Sequence, residues 1–375
     1  MRENTPYEAP KPKKKKSGLL GRIVRRFFLL IFTVVLLAVA ALYLVLDLIF
    51  TGPSPAAAKI LTMSLTEASA TKWVPGLFLS DEEVEAIRQN VDAELPDDVT
   101  DTSQVVIQTG SLGTPTDEWA AYPDGIYFVE IQGQTYNVHM MVVRDPSKVY
   151  MATSTPGSFS RNIPGIRITE AIEKENGIAA VNAGAFFDNG TSGPEVGATP
   201  EGLVIADGKV RWNSGRAPEE GFAGFNTDDI LVVAKTMTAE KAMELNIRDG
   251  CCFGPVLIMN GEVSMEAYNS NSGFNPRTAV GQRADGAVIF LCIDGRQAGS
   301  LGGTYADIID IMLEYGAVNA CNMDGGSSSV MMYQDSQGRY GEPGEYVMIN
   351  SYSLLQSEPR RMPNFWMVRP ANEEG

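Results

Sequence analysis

Histidine is almost missing: His139 is the only one in 375 residues. One imidazole excludes a zinc site built from several histidines. His139 sits in the strand-like run 136–143, where it reads as a structural or surface residue rather than a catalytic one. Cysteine is scarce as well. Cys251, Cys252, Cys292 and Cys321 form no CxxC pair and no Cys/His zinc pattern, and their spacing is not that of a disulfide framework. Cys292 and Cys321 fall inside apolar strand-like runs, so both are expected to be small buried hydrophobes with free thiols. There is no low-complexity tract after the N-terminus and no internal repeat of fixed period. Positive charge is concentrated at one end. The formal net charge is −16, residues 1–26 carry nine Lys/Arg against two Glu, and the other 349 residues are left with −23. So acidic a body repels nucleic acid, which is excluded as a partner.

What is present is apolar: 44% of the residues are hydrophobic, enough core for one large domain or two small ones. Residues 27–46 form a run of twenty without a charge. At about 1.5 Å per residue such a helix covers about 30 Å, the hydrocarbon thickness of a bilayer. Lys11, the lysines at 13–16, Arg22, Arg25 and Arg26 all precede it. The positive-inside rule then makes 1–26 a cytoplasmic tail, 27–50 the membrane helix and 51 onward extracytoplasmic. The alternative is a cleaved signal peptide with Ala56-Ala57-Ala58 as the small-residue site, against which stands an apolar run longer than the usual about 7–15 residues. Residues 51–103 read as a stalk, with Gly52-Pro53-Ser54-Pro55 breaking the helix, a short capped helix from Ser80, and an acidic linker over 92–103. The domain proper is expected over 104–372.

Its pattern is α/β, at the border with α+β: a mixed β-sheet core with packed helices, preceded by one transmembrane helix. Strands are expected at 126–131, 135–143, 148–153 and 178–182, and hairpins at Asp207-Gly208 and Asn260-Gly261. Within 277–333, the apolar strand 288–293 ends at Asp294-Gly295-Arg296. A helix capped by Thr304 with Asp307 follows, and the strand 317–322 ends near Asp324-Gly325-Gly326. A strand–helix–strand crossover makes the two strands parallel, so both Asp-Gly turns reach the same sheet edge, where α/β sites form.

Three clusters are expected to converge there: Asn182-Ala183-Gly184-Ala185-Phe186-Phe187, Asn275-Pro276-Arg277-Thr278-Ala279, and the two Asp-Gly turns. Gly325-Gly326 with Ser327, Ser328 and Ser329 offers backbone N–H groups and hydroxyls for a phosphate or sugar. Arg277 and Arg296 suit phosphate oxygens, and Asp294 with Asp324 supplies the carboxylate pair used in glycoside hydrolysis. Each also has a plain reading, as a turn, a loop or a structural ion pair.

The runs VNAGAFFDNG, TPEGLVIADGKV, FGPVLIMNGEV, NPRTAVGQ, LCIDGRQAGSLGGTYADIIDIMLEYGAVNACNMDGGSSS and RRMPNFWMV, in this order over roughly 120–370, resemble the phosphodiester glycosidases. That family includes the N-acetylglucosamine-1-phosphodiester α-N-acetylglucosaminidase that uncovers mannose 6-phosphate, and bacterial exopolysaccharide-related proteins. Ala185 and Met323 depart from its usual Phe and Leu, as packing changes. The resemblance implies catalytic roles for Asn182, Asp294 and Asp324. It also implies a substrate loop at Gly325 and Gly326, with Arg277 and, nearby, Arg360. The reaction implied is hydrolysis of a sugar-1-phosphodiester of a phosphorylated glycan at the anomeric C–O bond. Nucleophile, base and acid are not divided among the residues. The motifs fix no cofactor, with Mg²⁺ or Ca²⁺ as the candidates. Two rivals stand beside this reading: a phosphodiesterase cutting P–O with Mg²⁺ or Ca²⁺ held by the Asp residues, and a non-catalytic glycan-binding protein of the envelope.

The charge asymmetry around 27–46 generates a topological test. Protease added to intact cells is expected to degrade residues 51–375, and a domain protected until lysis would overturn the orientation.

Overall fold

The computed structural model describes residues 19–370 apart from 67–70, 89–97, 107–118, 120, 188–196, 216–220, 271, 298, 336–337 and 352–357. The lysines at 11 and 13–16, residues 92–97 of the expected linker and 188–190 of the first motif lie outside the described residues. The chain divides into two units, Met1–Ala58 and Lys59–Gly375.

The first unit holds helix α1 (Leu19–Thr51), within which Ile23–Thr51 is long and apolar enough to cross a membrane, a property that a signal sequence shares. Its side chains from Phe27 to Leu37 stand exposed. The Thr33 and Thr51 hydroxyls donate to the carbonyls of Leu29 (2.8 Å) and Asp47 (2.7 Å), so neither is left unpaired. Helix α2 (Pro55–Thr66) follows, with proline at its first position, where the missing N–H costs nothing.

In the second unit, α3 (Asp81–Arg88) opens with the expected capping box: the Glu83 amide donates to Ser80 Oγ at 3.2 Å and the Ser80 amide to Glu83 Oε2 at 2.8 Å. Within the span read as stalk, residues 98–106 lie against the sheets. Val99 bridges Ala234, and the Val106 amide donates to the Ala284 carbonyl at 3.0 Å.

Three antiparallel sheets follow. The first runs β1 (Ile126–Gln132), β2 (Asn137–Val143), β13 (Val288–Ile293), β12 (Arg277–Arg283), β14 (Ala317–Met323), β10 (Val256–Met259), β11 (Glu262–Val263). The second runs β16 (Glu345–Met348), β15 (Met331–Asp335), β4 (Ala179–Asn182), β17 (Asn364–Val368), β3 (Val149–Thr153). The third runs β6 (Lys209–Asn213), β5 (Leu203–Ala206), β9 (Ile247–Cys252), β7 (Phe222–Asn226), β8 (Leu231–Ala234).

One apolar cluster joins residues of all three sheets, among them Phe290, Val181 and Phe225. Each sheet also has a cluster on its other face. The first packs there on α6 (Met265–Asn269) and α7 (Tyr305–Glu314), the second on α4 (Ile168–Lys174), the third on α5 (Ala239–Glu244). Burial on both faces is why β13 and β5 are apolar at every position, and β4 at all but its last, Asn182, a pattern more usual for parallel strands. Ile308, Ile309 and Met312 of α7 are fully buried, each contributing about 1.5–3 kcal/mol.

The crossover β13–α7–β14 differs in one respect from its sequence reading. The two strands run the same way but are not neighbours, because β12 lies between them, antiparallel to both. Their C-terminal ends still share one edge of the sheet.

All four cysteines are buried free thiols. Burial pushes the Cys252 thiol up to about 12, and pushes Cys251, Cys292 and Cys321 up further or in the same direction. Native protein is therefore expected to resist alkylation even at pH 9, and to expose four reactive thiols once unfolded, counted by mass spectrometry. The stabilisation is complete below about pH 8.5, where an unfolded thiol is also neutral, and is lost as pH rises from there. A disulfide at any of these positions would overturn the assignment.

Candidate active site

The edge where β13 and β14 end is also where β12 begins and where β4 of the second sheet arrives. Thr278 stands opposite both Cys292 and Met323, so Asp294 and Asp324 emerge on either side of β12. Two ladder spacings separate their strands, about 10 Å.

Asn182 ends β4 and is completely buried. Its Nδ2 donates to the Asp324 carbonyl at 2.6 Å, while its Oδ1 accepts from Thr278 Oγ1 at 2.8 Å and from the Val330 amide at 3.1 Å. One side chain thus joins β4, β12 and both ends of the Asp324 turn. The Asp324 amide donates to the Ala183 carbonyl at 3.0 Å, fixing the turn to the second sheet again.

Asp294 is 2% exposed, and its two carboxylate oxygens are held separately. Oδ1 accepts from the Ser351 amide at 2.9 Å, and Oδ2 lies 3.1 Å from His139 Nε2. Strand β2 lies on the side of β13 away from β12, so this carboxylate is held on the side away from Asp324. The expected carboxylate pair is thus one buried, anchored group and one half-buried group. His139 adds a contact that its sequence reading did not include: it lies against Asp294, and its Nδ1 is buried without a hydrogen-bond partner. Pairing of β2 with β13 sets His139 opposite Cys292, two residues before Asp294. Without that pairing no sequence signal joins positions 155 apart.

Arg277 is buried and directed at backbone. Its Nε donates to the Gly303 carbonyl (3.2 Å), its Nη2 to those of Ser272 (2.6 Å) and Gly273 (3.2 Å), and its guanidinium lies 4.4 Å from the Tyr305 ring centroid. Arg296 is exposed, has a left-handed backbone (φ 56°), and donates through Nη2 to Asn275 Oδ1 at 3.0 Å. A Cβ on Gly326 would lie 3.4 Å from its Nη1 and Nη2. Arg360 Nη1 donates to Ser327 Oγ at 3.2 Å, and its guanidinium stacks 4.8 Å from the Phe186 ring centroid. Two cations therefore flank the Gly-Gly-Ser turn.

That turn is less of an open nest than its composition suggests. The Gly326, Ser328 and Ser329 amides donate to the carbonyls of Pro276, Gly325 and Gly326. Gly326 has φ 62°, a conformation that favours glycine. The Ser328 and Ser329 hydroxyls are buried without partners. Among the described residues no group of three or more His, Cys, Asp or Glu is arranged to hold a metal ion. Met323 is a packing residue, its sulfur accepting from Trp366 Nε1 at 3.4 Å.

Residues 175–369 match the family described as phosphodiester glycosidase. The SPbeta prophage-derived uncharacterized protein YomE of Bacillus subtilis (strain 168) is 26% identical over 192 residues, 49% of this chain and 27% of that protein. The chain therefore spans little more than a quarter of that curated relative. Among solved structures, the catalytic domain of zebrafish N-acetylglucosamine-1-phosphodiester alpha-N-acetylglucosaminidase, auto-inhibited by its pro-peptide, aligns over 65% of this chain and 82% of that one, with a TM-score of 0.51 and 21% identity. The likeness is one of fold.

The Asn182 network predicts a stability effect. Asn182→Ala leaves the Thr278 hydroxyl, the Val330 amide and the Asp324 carbonyl short of a partner in a buried place. At about 1–3 kcal/mol per stranded group, a loss of several kcal/mol is expected in urea unfolding. A change under about 0.5 kcal/mol, the range of neutral surface substitutions, would contradict the bridging role.

Proposed function

The chain belongs to the phosphodiester glycosidase family, and from that premise we propose a membrane-anchored extracytoplasmic hydrolase that cleaves sugar-1-phosphodiesters of envelope or exopolysaccharide glycans at the anomeric C–O bond. The observation that carries this reading is the setting of the Asp324 turn: a half-buried carboxylate, with the Arg296 and Arg360 guanidinium groups beside the two residues that follow Gly325.

The chemistry asks little else of the protein. The leaving group is a phosphate monoester, a weak base that departs without prior protonation. Water adds its oxygen to the anomeric carbon, the bond from that carbon to the phosphate oxygen breaks, and its electron pair leaves with the phosphate. Arg296 and Arg360 neutralise that charge, which a chain of net charge −16 must supply locally. Asp324 faces the cationic sugar centre and takes up the water proton. Asp294, pinned by His139 and the Ser351 amide, shapes the same edge. Arg277 holds the carbonyls of Ser272, Gly273 and Gly303, and with them the floor of the site. The zebrafish protein is named for action on an N-acetylglucosamine-1-phosphodiester, which supports this substrate class.

Asp324→Asn is nearly isosteric and keeps the backbone contacts of the turn. Against a panel of sugar-1-phosphodiesters it is expected to lose about 10²-fold or more in kcat with its melting temperature unchanged. In ¹⁸O water the label is expected in the sugar. Label in the phosphate would establish P–O cleavage, and near wild-type turnover by Asp324→Asn would remove Asp324 from the reaction.

A further inference from the structure

The site parts described above hang on one short turn, 272–276. Its carbonyls at Ser272 and Gly273 receive Arg277, and its Asn275 side chain receives Arg296. The Pro276 carbonyl receives the Gly326 amide at 2.9 Å. Side chains are excluded on both flanks: a Cβ on Gly295 would lie 2.6 Å from the Pro276 nitrogen, and one on Gly325 would lie 2.8 Å from the Pro276 oxygen. Both Asp-Gly turns therefore pack directly on Pro276.

The outer side of this turn is held by α2. Ser64 Oγ accepts from the Phe274 amide at 2.8 Å and donates to the Ile60 carbonyl at 2.8 Å. Gly273 has φ 70°, and a Cβ there would lie 2.4 Å from both the amide nitrogen and the Oγ of Ser64. Helix and turn are thus in backbone contact. Thr62, two residues earlier, is completely buried. A segment that served only as a spacer would present solvated polar groups and would make no such contact.

We propose that Ser64 is a positioning residue of the site: through the Phe274 amide, helix α2 sets the turn on which Arg277, Arg296 and both Asp-Gly turns are mounted. The inference rests on the hydrolase reading for its catalytic consequence. Its structural half stands apart from that reading. The catalytic domain then begins at about residue 59, and the chain that follows the apolar helix is part of the scaffold of the site rather than a tether.

The test uses the full chain in detergent, comparing Ser64→Ala with Ser64→Thr, which restores a hydroxyl. Deletion of one hydrogen bond leaves the protein folded. In Ser64→Ala, hydrogen exchange of the peptide containing Phe274 is expected to rise, and kcat on the best sugar-1-phosphodiester to fall about tenfold or more with the melting temperature held, because displacements of about 1 Å are costly at a reacting centre. Ser64→Thr is expected to restore both. Unchanged exchange at Phe274 overturns the coupling, and raised exchange with unchanged kcat overturns the positioning role. A fall in kcat that only tracks the melting temperature also overturns it. If the wild-type chain hydrolyses no sugar-1-phosphodiester, the hydrolase reading fails, while the exchange measurement still decides whether Ser64 sets the turn.

Discussion

The side-chain amide of Asn182 meets a constraint that the architecture creates. Three sheets share one apolar interior, so a polar site can form only at a rim, and every polar group buried there needs a partner. Asn182 carries both a donor and an acceptor and serves three backbone and side-chain groups from two sheets at once. Asp would lack the donor and add a buried charge; a hydrophobic residue would strand all three partners. The placement of Asp324 depends on it.

Around that rim the close approaches are made by glycine and the charges by arginine. Gly295 and Gly325 let the two Asp-Gly turns touch Pro276 where any side chain would collide with backbone. The arginines divide by burial. Arg277 is spent on carbonyls that shape the floor, whereas Arg296 and Arg360 stand beside the Gly-Gly-Ser turn at the surface. Guanidinium groups suit both tasks, since five fixed donors can gather several carbonyls or grip phosphate oxygens. Arg296 holds a left-handed backbone without being glycine, a local cost of the kind that accumulates at functional positions.

The two carboxylates, equal in the sequence, are unequal in the fold. Asp294 is enclosed and both its oxygens are engaged; Asp324 is half-buried in a turn flanked by Arg296 and Arg360. Environment, not residue type, separates the two. The one imidazole is held against Asp294.

Much of this was legible from local pattern. The uncharged run 27–46, the capping boxes at Ser80 and Thr304, the hairpins at Asp207-Gly208 and Asn260-Gly261, and the ends of β13 and β14 follow from periodicity and turn chemistry that operate within a few residues. The motif order alone was enough to identify the family. Tertiary structure decided what depends on strand neighbours. It set β12 between β13 and β14, β2 beside β13 with His139 against Asp294, and α2 against Gly273. It also turned Arg277 inward and occupied three amides of the Gly-Gly-Ser turn. The His139–Asp294 and Ser64–Phe274 contacts join residues more than a hundred positions apart. No local propensity encodes them, because they are selected by the requirement that every buried donor and acceptor at the rim be paired.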